Sequence, residues 1–476
     1  MNPFPSSGLA HLPLFAADLG PIRTGLRDHL ERDRIKIAVV DDDPTGTQTV
    51  KGVPLVTGWE ESELEWAMGE ASPLFGILTN ARARSEHDAR AIAQTIGERL
   101  AATARRLGCG LRTISRSDST LRGHFPAEPD ALATGLAKEG VDIDAVLVCP
   151  AFPQAGRITV DGLHLVRDGD RLLPAGSSEY ADDPAFGYRS SRLADWVRER
   201  TEDSVQVASI TLEDLRLGGV EQVARRLLDA TDEGTRYIVS DAVEDGDLEI
   251  LAGGVDLAET GGLRLVYRTG PSFVSARAGL RTPPPLEPGE VAAPAGSGLI
   301  VVGSYTELTT AQLDRAARDH ALRTVDLNVA RLLAADQTAA AALVRDAAEQ
   351  LRKALAEGDA ALVTSRAPAH TQGGSASLDS SEVVTDALVE IVASAAPAAP
   401  PAWIIAKGGI TSHAIAVRAL DARRLTVLGQ LFRGQVSVWE LGPDSRMPGL
   451  RYVVFPGNVG DEQTLTRAIG RLKGTP

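Results

Sequence analysis

The sequence predicts an α/β fold in two domains, each a mainly parallel sheet flanked by helices. Three observations carry that expectation. Short β-branched apolar runs, too short for helices, recur along the 476 residues and alternate with amphipathic stretches of helical period. Their carboxyl ends stop in polar, hydroxyl-rich or glycine-rich turns, where open α/β sheets bind ligands. One proline-rich interruption, 282–296, reads as a linker between a segment 1–281 and a segment 297–476, each long enough for its own core.

Residues 1–34 are proline-rich and then charged, and Leu26 and Leu30 predict one short amphipathic helix ahead of the first strand. That strand, 35–40, ends in Asp41-Asp42-Asp43-Pro44-Thr45-Gly46, turn chemistry in which proline fixes φ and glycine is free to take positive φ. Three adjacent carboxylates repel one another, a cost that a metal, a substrate hydroxyl or a cationic partner offsets. A second strand over 74–79 ends in Asn80-Ala81-Arg82, and a long helix runs from the cap Ser85 to Leu107. A strand at 111–114 leads into Ser115-Arg116-Ser117-Asp118-Ser119-Thr120-Leu121-Arg122-Gly123 and a helix over 129–138; a strand at 141–149 leads into the turn 150–157. Four successive strand ends therefore carry Asp, Arg, Asp with Arg, and Arg, which predicts a single polar crevice along one sheet edge. Residues 160–200 read as loop-rich, with Tyr180-Ala181-Asp182-Asp183-Pro184 a turn. Strands at 205–210, 237–239 and 263–267, with helices at 221–230 and 247–257, complete this segment.

After the interruption, a strand at 299–302 ends in Gly303-Ser304-Tyr305-Thr306 and a helix follows over 310–320. Strands at 323–327, 360–364 and 403–406 alternate with helices to 356 and over 381–394. Lys407-Gly408-Gly409-Ile410-Thr411-Ser412 opens a helix to 420, and strands at 436–441 and 452–455 precede Pro456-Gly457-Asn458-Val459-Gly460-Asp461 and a closing helix.

The net charge of −15 argues against general affinity for nucleic acid or anionic membrane, while allowing a local basic pocket. Cys109 and Cys149 lie in apolar stretches and read as reduced core residues of a cytoplasmic protein. Residues 1–20 lack the basic and apolar regions of a secretory signal, and no stretch has the apolar length of a transmembrane helix. A cytoplasmic setting is expected, with no nucleic-acid or membrane partner.

The strand–Gly408-Gly409-Ile410-Thr411-Ser412–helix arrangement suits phosphate. Its glycines let backbone N–H groups approach an anion, and its hydroxyls donate. Gly303-Ser304 and Gly457-Asn458-Val459-Gly460 repeat the theme at other strand ends. Each alone is also an ordinary helix cap; together they favour a nucleotide site. Neither a Walker A lysine motif nor a dinucleotide Gly-x-Gly-x-x-Gly fingerprint stands at a suitable strand end. His87, His124, His164 and His413 lack metal-ligand spacing, so a structural zinc is not expected and no metal ligand is singled out. Asp41-x-Asp43-x-Thr45 after a strand also has the pattern of haloacid-dehalogenase-type phosphatases, with Asp41 as nucleophile and Asp43 as acid/base. That reading finds its remaining parts in Thr79 and Lys407 only across the linker and leaves the arginine-rich strand ends unexplained.

Taken in order over nearly the whole chain, Asp42-Asp43-Pro44-Thr45-Gly46, Ser117-Asp118-Ser119-Thr120-Leu121-Arg122-Gly123, the turn 150–157, Gly408-Gly409-Ile410-Thr411-Ser412 and Gly457-Asn458-Val459-Gly460 resemble the four-carbon acid sugar kinase family. Asp41, Arg116, Ile410 and Phe455-Pro456 depart from its usual pattern. The resemblance implies an N-terminal sugar-acid-binding domain, a C-terminal ATP-binding domain, and ATP-dependent phosphorylation of a terminal hydroxyl of threonate, erythronate or an oxo-tetronate. A sugar-acid sensor without turnover is the non-catalytic alternative. Asp42 or Asp43 would accept the hydroxyl proton. Thr45, Arg82, Arg116, Arg122 and Arg157 would hold the substrate, since guanidinium matches carboxylate bidentately, and Asp118 would orient a hydroxyl. Ser304, Gly408, Gly409, Ile410, Thr411 and Gly457 would line ATP, with Mg2+ bridging its β- and γ-oxygens and held partly by water. The two domains would close on one another, making 282–296 a hinge as well. A homodimer stays open.

Overall fold

Buried strands covered on both faces read as continuous apolar runs, and the runs of this sequence form two such sheets. The computed structural model describes residues 4–5, 12–15, 18–201, 205–303, 306–365 and 375–475. The chain divides into two units, Met1–Pro283 and Pro284–Pro476.

The strands of the first unit are β1 (Phe4–Pro5), β2 (Ile35–Asp41), β3 (Val53–Val56), β4 (Leu74–Leu78), β5 (Gly110–Arg116), β6 (Ala145–Cys149), β7 (Arg157–Val160), β8 (Leu163–Asp168), β9 (Arg171–Pro174), β10 (Val207–Ile210), β11 (Tyr237–Ser240) and β12 (Leu265–Thr269). Eight of them form one parallel sheet in the order β10-β11-β6-β12-β5-β2-β4-β3. Its register aligns the carboxyl ends: Asp41 pairs with Arg116 and Leu78, and Thr269 pairs with Arg116 and Cys149. The polar turns therefore open along one edge.

Helix Glu86–Leu107 starts where Ser85 Oγ accepts the Asp88 N–H at 3.2 Å and stops at Gly108 in the left-handed region. It packs on helix Ala127–Lys138 through two glycines. A Cβ on Gly97 would stand 2.4 Å from the Leu132 carbonyl oxygen, and one on Gly135 would stand 2.0 Å from that of Gln94. Their apolar faces, with Ile96, Leu100, Leu132 and Leu136, bury Ala38, Val40, Phe75 and Ile77 of the sheet.

The expectation of a loop-rich stretch over 160–200 is corrected. β7, β8 and β9 form an antiparallel sheet edged by β1, and helix Leu193–Arg200 follows. These strands run only four to six residues, and Arg167, Asp168 and Arg171 occupy the turn-side ends of β8 and β9, so apolar alternation is too brief to register. Ile158, Leu163, Leu165 and Leu172 nonetheless make a small core of their own.

In the second unit the strands are β13 (Gly298–Val302), β14 (Arg323–Leu327), β15 (Ala360–Thr364), β16 (Trp403–Lys407), β17 (Arg424–Gln430), β18 (Ser437–Leu441) and β19 (Arg451–Phe455), ordered β17-β18-β19-β16-β13-β15-β14. β19, β16, β13, β15 and β14 run parallel, and β18 and β17 are added antiparallel. β17, not anticipated, shows the alternating burial of a strand with one face inward. Val302 pairs with Lys407 and Lys407 with Phe455, which brings the Gly303, Gly408 and Gly457 turns to one sheet edge. From the proline-rich segment, Leu286 and Val291 are buried in this unit's core with Trp403, Val438 and Phe455, and Pro288–Val291 is a short helix. Among the described residues, no helix is long and apolar enough to cross a membrane.

Candidate functional site

β2 carries the three aspartates to the sheet edge and gives each a different environment. Asp41 Oδ1 pairs with Arg116 Nη2 at 2.6 Å beneath the turn and accepts the Asp43 N–H at 3.0 Å. Burial, opposed by Arg116 and reinforced by Asp42, pushes the Asp41 carboxyl up to about 7. Arg116 also donates to the Asp43 carbonyl oxygen at 2.9 Å. Gly46 makes room for it: a Cβ there would stand 1.5 Å from Arg116 Nη2. With its side chain only 5% exposed, Arg116 supports the aspartate turn from below.

Asp42 is gripped by Arg82, Nη2 to Oδ1 at 2.5 Å and Nε to Oδ2 at 3.1 Å, and accepts the Ser117 hydroxyl at 2.8 Å. Arg82 Nη1 reaches Asp43 Oδ2 at 3.2 Å. Asp43 caps the Pro44–Thr49 turn by accepting the Thr45 N–H at 2.8 Å and the Thr45 hydroxyl. Burial pushes the Asp43 carboxyl up, but Arg82, Arg116 and Thr45 outweigh it and hold it below the usual range.

The loop after β5 adds Asp118 and Arg122. Asp118 Oδ2 accepts Arg122 Nε at 2.6 Å and the Thr120 hydroxyl; against its burial, Arg82 and Arg122 hold this carboxyl well below the usual range. Gly123 closes the loop at φ 111°, and a Cβ on it would meet Ser117 Oγ at 2.5 Å and Asp42 Oδ2 at 3.1 Å. Arg122 and Arg157 lie 5.1 and 5.9 Å from the centroid of the Tyr180 ring. Arg122 Nη1 reaches Asp183 Oδ2 at 3.4 Å, and Arg157 Nη2 reaches the Tyr180 hydroxyl at 3.4 Å.

Sequence reasoning left two buried groups out of this set. Arg268, at the end of β12, donates to the carbonyl oxygens of Asp118 at 3.2 Å and Arg122 at 3.1 Å and lies 5.3 Å from the Trp196 ring centroid. A charged residue inside the apolar run of β12 was the available signal. Glu128, in the first turn of helix Ala127–Lys138, has its carboxyl pushed up to about 8 by burial and by the charge of Asp42. An acid in a first helical turn reads from sequence as a dipole partner, so nothing marked it.

The phosphatase reading does not survive this geometry. Its nucleophile, Asp41, is 2% exposed and bound to Arg116.

In the second unit, the Gly408 turn is knitted to its neighbours. Gly408, at φ 113°, donates its N–H to the Phe455 carbonyl oxygen at 2.8 Å. A Cβ on Gly303 would meet Thr411 Oγ1 at 2.2 Å. Ser412 Oγ donates to the Gly408 carbonyl oxygen at 2.7 Å. The Gly457 carbonyl oxygen accepts Thr306 Oγ1 at 3.1 Å and Thr309 Oγ1 at 2.9 Å, while Gln312 Nε2 donates to the carbonyl oxygens of Val459 and Asp461. Gly408, Gly409, Ile410, Thr411 and Gly457 thus share one edge, with the Ile410 side chain facing outward at 55% exposure. Ser304 lies outside the described residues. Among the described residues, no group of three or more His, Cys, Asp or Glu side chains could hold a metal ion.

A model of a sugar-binding N-terminal domain matches residues 37–277, and a model of a nucleotide-binding C-terminal domain matches residues 299–465. A D-erythronate kinase of Heliobacterium modesticaldum is 33% identical over 58% of this chain and 59% of that kinase, so the chain spans less than two thirds of that relative's length. A D-threonate kinase of Bordetella bronchiseptica is 27% identical over 92% of this chain and 97% of its own. Among solved structures, a Haemophilus influenzae protein superposes with a TM-score of 0.65 at 18% identity, covering 91% of this chain and 100% of that one. The last likeness is one of fold.

Proposed function

The chain belongs to the four-carbon acid sugar kinase family, and we propose that it is an ATP-dependent kinase that phosphorylates a terminal hydroxyl of a four-carbon sugar acid such as threonate, erythronate or an oxo-tetronate. The observation that carries this reading is the aspartate turn of the first unit. A carboxylate pair is fixed by one guanidinium, and further guanidiniums stand beside it at the same strand edge.

Arg122 and Arg157 hold the substrate carboxylate at Tyr180, and Asp118 orients a hydroxyl. Asp43 accepts the proton of the attacking hydroxyl. Its side chain is 20% exposed against 2% for Asp42, so it is the one a substrate can reach. Asp42 and Arg82 fix its direction. The weak basicity of Asp43 suits phosphoryl transfer, where a loose transition state asks for positioning more than for a strong base. Arg116 is a positioning residue that keeps the turn in place.

In the second unit, the Gly409 N–H, the Thr411 hydroxyl and the Gly457 turn hold the phosphates of ATP, while Gly408, its own N–H spent on the Phe455 carbonyl oxygen, leaves room for the anion to approach. Mg2+ bound with ATP would supply charge neutralisation at the transferring phosphoryl group, and no side chain of this chain is assigned to hold it.

ADP production with Mg-ATP, measured across four-carbon aldonic and oxo-acids with pentonates as controls, tests the reading. Turnover confined to one or two four-carbon acids is the expected result. No ADP with any acid, while the same acids still raise the melting temperature, would replace the kinase by a binding sensor.

A further inference from the structure

Lys407 closes β16 in the middle of the glycine turns, in register with Val302 on one side and Phe455 on the other. Its side chain is fully buried. Nζ donates to the Pro456 carbonyl oxygen at 3.2 Å and lies 4.1 Å from the centroid of the Phe455 ring. Lysine is almost never fully buried unless paired with an anion, because desolvating an ammonium is costly. Here a carbonyl and a ring are present, and no carboxylate of the described residues pairs with it. The counter-charge that would complete this site is an anion, and the Gly303, Gly408 and Gly457 turns around it are built for phosphate.

We propose that Lys407 is a proton-linked anion-binding residue: a polyphosphate seated on the glycine turns draws a proton from solvent onto the Lys407 amine, and the ammonium so formed holds the polyphosphate electrostatically across the turn. The identity of that polyphosphate as ATP rests on the kinase reading; the charge argument does not. The groups that meet the amine are the Phe455 ring of β19 and the Pro456 carbonyl oxygen of the following turn, neither of which titrates. Among the described residues, burial alone acts on its charge, and no acid, histidine or arginine of these elements or of helix Gly409–Ala414 contributes. It pushes the amine down to about 7, so the nucleotide-free protein at about pH 8 carries Lys407 mostly neutral. In a low-dielectric wall the field of a bound polyphosphate is weakly screened and favours the charged form.

Calorimetric titration of the full chain with Mg-ATP, in two buffers of unlike ionisation heat, reads the protons taken up. The wild-type protein should take up most of one proton at about pH 8 and almost none at about pH 6, where the amine is already charged. Lys407→Met should abolish the uptake and weaken binding about tenfold at the lower pH. Lys407→Arg, charged throughout, should bind without uptake at either pH. Binding of Mg-ATP by the wild-type protein with no uptake at about pH 8, or uptake that persists in Lys407→Met, overturns the inference and leaves the kinase reading intact. Uptake in a protein that turns over no sugar acid does the reverse. Absence of Mg-ATP binding overturns both. The wild-type pH comparison needs no variant, so a Lys407→Met protein that fails to fold still leaves a decisive result.

Discussion

Arg82 holds Asp42 by two parallel hydrogen bonds, at 2.5 and 3.1 Å, and places its remaining contact on the neighbouring Asp43 at 3.2 Å. The two aspartates therefore do different work although they are adjacent in sequence. Asp42 anchors the guanidinium; Asp43 is left facing the crevice. Asp43→Asn is expected to lower kcat by about 10²–10⁴-fold, with the melting temperature and the affinity for Mg-ATP kept. Asp42→Asn removes one acceptor of a buried, charge-assisted pair and is expected to lower stability by roughly 1–3 kcal/mol in addition to its effect on turnover. Equal losses of activity in both variants with no difference in stability would contradict this division.

The pair beneath the turn makes a second prediction. Arg116 and Asp41 are both almost fully buried and meet at 2.6 Å. Removing one partner strands the other, so Arg116→Met should cost about 3–5 kcal/mol in denaturant unfolding. Replacing both, Asp41→Leu with Arg116→Met, should recover most of that loss, because well-packed apolar groups often substitute for a buried ion pair. Additive losses would show that the two side chains act independently.

Much of the scaffold was legible because its signals are local. The apolar run of β2, the Asp-Pro-Thr-Gly turn and the Ser85 cap each announce themselves within a few residues, and the structure has them there. Pairing is not local. The sequence presents Arg116 as one more arginine at a strand end; only the β2–β5 register, which sets Asp41 opposite Arg116, makes it a partner of Asp41. Lys407 stands in the sequence merely ahead of a glycine turn, and its burial emerges only when β19 and β13 close on either side. β7 to β9 were hidden by brevity, whereas the alternation of Arg424–Gln430 was present and went unread.

His164 gives the first unit an acid limit. Its Nε2 donates to the Ser119 carbonyl oxygen at 2.7 Å and its Nδ1 accepts the Thr159 hydroxyl at 2.9 Å, an arrangement that needs the neutral ring. Burial pushes the imidazole down to about 4, from an ordinary value near 6.5. The folded value lies below the unfolded one, so the stabilisation is present above about pH 6.5 and is lost as pH falls through about 4. The limit of this effect is about 3 kcal/mol. Since Ser119 belongs to the loop that carries Asp118, KM for the acid should rise over the same range. His164→Asn should flatten the acid limb of the stability profile; a profile unchanged in this variant would assign the limb to other groups.

Arg122 and Arg157 both lie against the ring of Tyr180, 5.1 and 5.9 Å from its centroid, two like charges at one aromatic side chain. Arg157 Nε is buried without a hydrogen-bond partner. Two guanidiniums at one site are stabilised by an anion, and in the proposed site the substrate carboxylate would supply it. A charge-assisted hydrogen bond is worth roughly 1.5–3 kcal/mol, so Arg157→Met should raise KM for the sugar acid by about 10–100-fold while kcat changes little and KM for ATP stays put. Arg157→Lys should restore only part of the affinity, because an ammonium lacks the planar fork. Steady-state kinetics decides the point: a fall in kcat at unchanged KM would move Arg157 from the ground-state carboxylate to charge that develops on the transferring phosphoryl group, and the carboxylate would then have to be sought at Arg122 alone.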